Sequence, residues 1–138
     1  MYGALNISTS GMIAQRTRMA VISANIANAN TILDSQGNLN PFKKRILNFA
    51  PGDPSSSDPI GRQFGVHVSE IGKDESAIRL KYEPGSKYAD ENGYVPYPDI
   101  NPQLEQINAM SAARAYEANV VAAETTKTMM AQALRLIA

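Results

Sequence analysis

The chain has no cysteine and no tryptophan, a single histidine, and no excess of charge: 13 Lys and Arg stand against 13 Asp and Glu in 138 residues. Each shortage excludes something. Without cysteine there is no disulfide framework and no thiolate metal site. With one histidine, His67, a zinc site would need several carboxylates, and a solvent-facing or packed strand histidine is the reading that fits. A net charge of zero argues against a general nucleic-acid binder and against electrostatic adhesion to an anionic membrane. No run approaches 18 consecutive apolar residues, so direct membrane insertion is not expected. No basic residue precedes Arg16, and Ser, Thr, Asn and Gln interrupt every apolar stretch, so the N-terminus does not read as a secretory signal. The Arg- and Ser-bearing, acid-free first 33 residues do resemble a transit peptide in composition. A matching helix at the other end of the chain speaks against that reading.

What is present falls into three parts: a helix over residues 1–30, a middle region over 31–100, and a longer helix over 101–138. The middle holds seven of the eight prolines and seven of the nine glycines. At the N-terminal end Leu5, Met12, Met19 and Ile26 recur every seven residues, with Ile22 and Ala29 joining the stripe. This is the seam of a helix that packs in coiled-coil fashion. Gly11 weakens that helix, and the asparagine run Asn25, Asn28, Asn30 closes it. At the C-terminal end Ala113, Tyr116, Val120, Ala123, Lys127, Met130, Leu134 and Ile137 alternate at spacings of three and four. Asn101 followed by Pro102 is an N-cap with proline at the first helical position. Both stripes are rich in small residues, which bury little area each. The surplus apolar faces, Val121 and Ala122 among them, therefore suggest packing against other subunits, and termini that become fixed only on assembly.

In the middle, short strands are expected at 45–49, 64–71, 77–82 and 93–97, with a mobile Pro/Ser loop over 51–59. The fold class expected is α+β: long terminal helices pairing as an antiparallel coiled-coil-like core, with a small antiparallel β middle. Searches for chemistry return little. The acid pairs Asp74-Glu75 and Asp90-Glu91 sit in turns, there is no phosphate-binding glycine loop and no nucleophile elbow, and Lys43-Lys44-Arg45 reads as an edge-strand guard. No cofactor, metal, small-molecule substrate or nucleic-acid partner is expected, and no enzymatic activity.

Two segments carry a resemblance. Ser23-Ala24-Asn25-Ile26-Ala27-Asn28-Ala29-Asn30-Thr31 resembles the N-terminal signature of bacterial flagellar axial proteins, and Arg114-Ala115-Tyr116-Glu117-Ala118-Asn119-Val120 resembles their C-terminal counterpart. Gly65-Val66, Glu70-Ile71, Tyr82 to Gly85, Ala89-Asp90, Gly93-Tyr94-Val95 and Tyr97-Pro98 resemble the middle of the proximal rod members. The resemblance implies a paired-helix inner layer in a hollow rod, with the middle region outside it. It implies a place in the basal body and export through the flagellar type III apparatus without a cleaved signal. The partners it implies are other rod proteins and the basal-body ring and adaptor proteins. Two readings of the asparagines stay open: local bonds at a fraying helix end, or, as the resemblance suggests, Asn25 and Asn28 on one helix face with amides that bond adjacent helices and fix their register. Two other functions stay in view, a subunit of a needle-type secretion assembly and a small ligand-binding domain with helical arms.

Overall fold

The computed structural model describes residues 2–137. Helix α1 spans Tyr2–Ala27 and strand β1 Lys44–Pro51. They are followed by a short helix α2 at Pro59–Phe64 and by strands β2 at Val66–Asp74, β3 at Ile78–Tyr82 and β4 at Tyr94–Pro98. Helix α3, Pro102–Ile137, closes the chain. The terminal helices pack along one another more extensively than any other two elements. This is the expected α+β arrangement.

The β middle is two separate two-stranded antiparallel sheets, β1–β2 and β3–β4. In the first, Lys44 pairs with Asp74 and Arg45 with Lys73, and a bulge falls between Asn48 and Phe49. The bulge leaves Ser69 as the extra residue, and its hydroxyl donates to the Asn48 carbonyl at 3.1 Å. Such an insertion bends the strand and raises its twist, which lets a two-stranded ribbon curl onto α1. In the second sheet, Pro96 and Pro98 lie on β4, as proline requires of an edge strand because it offers no N–H to a further neighbour. Ala77, Val95, Pro98 and Ile100 are buried there. Gly93 sits at φ 80° where the chain turns into β4, a conformation glycine adopts at no steric cost.

The helix boundaries follow from capping chemistry. The Asn101 Oδ1 accepts from the backbone N–H groups of Gln103 (3.0 Å) and Leu104 (3.2 Å), satisfying two orphan donors of α3. The same device starts α2, where Asp58 Oδ2 accepts from Gly61 N–H and Pro59 follows the cap. The Pro/Ser segment 51–59, expected as a mobile loop, is thus partly built. Asp53 accepts from both the amide and the hydroxyl of Ser55, and Gly52 and Gly65 are joined through their backbone.

Candidate assembly interface

Helix α1 is buried on two sides, and both are lined with small or polar residues. One side meets α3. A Cβ added to Gly11 would fall 2.6 Å from the Asn119 side-chain oxygen, so the Asn119 amide sits directly against the α1 backbone where glycine leaves room for it. Further along, Asn25 Nδ2 donates to Glu105 Oε2 at 3.2 Å. In both contacts the facing residue numbers add to 130, which fixes an antiparallel register for the whole pair. The other side of α1 meets the middle region. There Val66 N–H donates to Ser10 Oγ at 3.1 Å, and Gly3 abuts Asp58 and Ile60. Ser10, Ala14 and Val21 are buried along this side, and Ser8, Gly11, Ile22 and Asn25 are buried as well.

Asn25 is the point where the three parts meet. It is 1% exposed. Its Oδ1 accepts from Arg45 N–H at 2.9 Å and its Nδ2 donates to the Arg45 carbonyl at 3.0 Å. The side-chain amide therefore stands in for a missing strand on the open edge of β1, satisfying both backbone groups of one residue. The same Nδ2 reaches Glu105, a carboxylate on α3 that is 3% exposed. Lys44 Nζ lies 3.3 Å from the other oxygen of Glu105 and supplies the countercharge. A buried carboxylate is tolerable only when paired and hydrogen-bonded in this way. Asn28 behaves differently. It lies just past α1, donates to its own turn at Ala24 O (2.9 Å) and accepts from the Thr31 hydroxyl (3.3 Å). Of the two readings left by the sequence, the cross-element one describes Asn25 and the local one describes Asn28.

The residues expected to pack are distributed unevenly. On α1, Ile22 is buried, and Leu5, Met12, Met19 and Ile26 are half-buried along one edge of the groove between the helices. In the asparagine motif Ala29 is buried, while Ala27 and Asn30 are exposed. On α3, Ala113, Tyr116, Val120, Ala123 and Met130 are half-buried, but Leu134 and Ile137 are 68% and 85% exposed. The register explains the last two. Tyr2 of α1 falls opposite residue 128, so among the described residues no turn of α1 faces 129–137. Sequence periodicity alone missed Glu105 and Asn119. Both are polar residues among small ones: Glu105 meets an asparagine of α1, and Asn119 meets the glycine that leaves room for it.

One broad side of α3 is uncovered. Leu104 (51%), Ile107 (62%), Val121 (60%), Met129 (54%) and Leu136 (88%) are exposed there. At about 100° per residue they fall in one sector of the helix, interspersed with Arg114, Thr125 and Gln132, and the centre of that sector points away from buried Ala112. Among the described residues no group of three or more His, Asp or Glu could hold a metal ion, and no helix is long and apolar enough to cross a membrane. His67 Nδ1 lies 2.7 Å from the Gly52 carbonyl, a bond it makes as the donor, within the β1–β2 turn region.

Paired terminal helices with an uncovered side, and a β middle pinned against them, fit a subunit built for assembly. Residues 5–32 match the family model of the flagella basal body rod protein. The chain is 35% identical over 145 residues to the flagellar basal-body rod protein FlgC of Bacillus subtilis, covering 98% of this chain and 97% of that one. It is 35% identical over 150 residues to the FlgC of Borreliella burgdorferi (99% and 97%) and 34% identical over 135 residues to that of Salmonella typhimurium (95% and 93%). The chain belongs to the FlgC family of flagellar basal-body rod proteins.

Proposed function

We propose that this chain is a structural subunit of the proximal rod, with α1 and α3 in the inner layer of a hollow helical shaft and the two β-sheets outside them. The observation that carries the reading is the uncovered apolar side of α3. Exposed stripes of this kind mark interaction surfaces, and a surface that meets a different patch on the next subunit extends a helical array instead of closing a ring. The half-buried edge of Leu5, Met12, Met19 and Ile26, and the overhanging Leu134 and Ile137, offer two further faces for neighbours. The partners are other rod proteins and the basal-body ring and adaptor proteins. The subunit reaches them through the flagellar type III apparatus without losing a signal peptide, and once in place it transmits motor torque. The role requires no catalysis. The concavity beside Asn25, lined by Arg18, Lys44 and Glu105 among others, has Asn25, Lys44 and Glu105 bonded to one another, which disfavours the ligand-binding alternative.

The test is a pair of substitutions on the uncovered side, Val121→Asp and Leu136→Asp. Neither side chain is buried, so the purified variants should unfold at the same denaturant midpoint as the parent. In a deletion strain they should fail to restore swimming, with basal bodies lacking a complete rod. Full motility from both variants would remove the proposed face, and a motile deletion strain would remove the proposed function.

A further inference from the structure

In the β1–β2 sheet, Arg45 and Lys73 are direct cross-strand partners. Both backbone polar groups of Arg45 are turned to Asn25, so the pair occupies a non-hydrogen-bonded position, where facing side chains come closest. Like charges directly opposite one another are unfavourable. Neither residue has an ion-pair partner among the described residues. Lys43 lies beside them, and its own partner, Glu75, is a well-exposed carboxylate at 3.4 Å. The three cations line a concavity of about 330 Å³ whose wall includes Phe42, with the Arg45 guanidinium 5.7 Å from that ring's centre. The one acid in the lining, Asp34, accepts from the N–H groups of Gln36 and Asn38 through a single oxygen. With Lys43 paired to Glu75, the site keeps two cations, Arg45 and Lys73, without an ion-pair partner among the described residues, against one lining acid.

The chain also carries its complement. Of its two adjacent acid pairs, Asp74-Glu75 borders the basic site itself and is spent on Lys44 across the strands and on Lys43. Asp90-Glu91 lies far from it in sequence, exposed at the tip of the β3–β4 hairpin. That tip is preformed. Asp90 accepts from Asn92 N–H and Tyr94 N–H, and backbone bonds close the turn at Ser86, Ala89 and Gly93. Glu91 has no ion-pair partner among the described residues. A rigid anionic tip and a rigid cationic concavity need little ordering to join, and charge complementarity of this kind selects a partner and fixes its orientation. We infer that the hairpin tip of one copy, led by Glu91, seats in the Lys43–Arg45–Lys73 concavity of a second copy, a lateral contact between outer layers that rests on the rod-subunit reading above. The tip and the concavity are different patches, so the contact repeats from copy to copy without closing on a pair.

The absence of native cysteine allows a direct test in assembled basal bodies. Lys73→Cys and Glu91→Cys are made on separate copies and co-expressed in the deletion strain, with each single variant as a control. Oxidation should give a disulfide-linked dimer only when both are present. As a second measurement, Lys73→Glu should reduce the yield of complete rods about tenfold, and adding Glu91→Lys to the same chain should restore most of it. Motile single-cysteine strains whose mixture gives no dimer would overturn the contact while leaving the rod function standing. So would a Lys73→Glu defect that Glu91→Lys does not relieve, or a photo-crosslink from position 73 that leads to a different rod protein.

Discussion

Asn25 shows how much one amide can hold. Its replacement by Ala removes three hydrogen bonds and leaves the Arg45 backbone groups and the Glu105 carboxylate short of partners inside the protein. Each stranded buried group costs about 1–3 kcal/mol, so Asn25→Ala should lower unfolding free energy by about 2–4 kcal/mol in urea titration. Asn25→Asp keeps the shape but turns an oxygen toward the Arg45 carbonyl and Glu105, and should be at least as damaging. Asn28→Ala, which loses only bonds within its own turn, should cost less than either. An Asn28→Ala effect equal to that of Asn25→Ala would contradict the division of roles. Gly11 gives a second case. Its low helix propensity is outweighed by the space it leaves for Asn119, so Gly11→Leu should destabilise by about 1–3 kcal/mol through overpacking, despite leucine being the better helix former.

Elements were legible to the extent that each was buried on one side. Helix α3 starts where Asn101-Pro102 places it, and Ile78–Tyr82 and Tyr94–Pro98 lie within a residue of the strands read from alternation. Helix α1 was harder. Its contacts with α3 and with the β middle use Gly3, Ser8, Ser10, Gly11 and Ala14, so the large apolar residues that draw the eye, Leu5, Met12 and Met19, mark a half-exposed edge. A helix buried on two faces has no single apolar stripe for periodicity to report. Helix α2 went unread because six residues give no periodic signal, although Asp58-Pro59 repeats the cap of α3. The register of the helix pair was not legible at all, since it is set by two tertiary contacts, at Gly11 and at Asn25. It has a consequence for local stability. Amide exchange on the full chain should be slowest around residues 105–123, where α1 lies alongside, and faster over 129–137, beyond the described end of α1. Uniform protection along α3 would show that this register is wrong.

For the molecule as a whole, two surface carboxyls of the β middle are held below their ordinary values by neighbouring hydroxyls. The hydroxyl of Ser55 holds the Asp53 carboxyl below its ordinary value of 3.8, and that of Ser76 does the same for Asp74. A carboxyl whose folded-state pKa is depressed contributes stability that is complete above about pH 4 and is lost as the pH falls through the lower value. Both groups lie at the surface, so solvent screens the effect and it is small. The double variant Ser55→Ala/Ser76→Ala should therefore be slightly less stable than the parent at pH 6, with the gap closing below pH 4. A gap that widens in acid would reverse the assignment. The division into two helical ends and a β middle was plain from where proline and glycine collect. The meeting of all three parts at one buried amide was not, because Asn25, Arg45 and Glu105 are distant in sequence and share no motif.

The β middle is tied to α1 at two places, Ser10 to Val66 and Asn25 to Arg45. Fifteen residues of helix separate them, about 22 Å of rigid rod at 1.5 Å per residue. A body held at two points on one helix can still hinge about the line between them; the Lys44–Glu105 pair on α3 supplies a third point off that line. Twist applied to the β1–β2 sheet would thus be delivered to the helix pair as rotation of the whole, with little play lost between them.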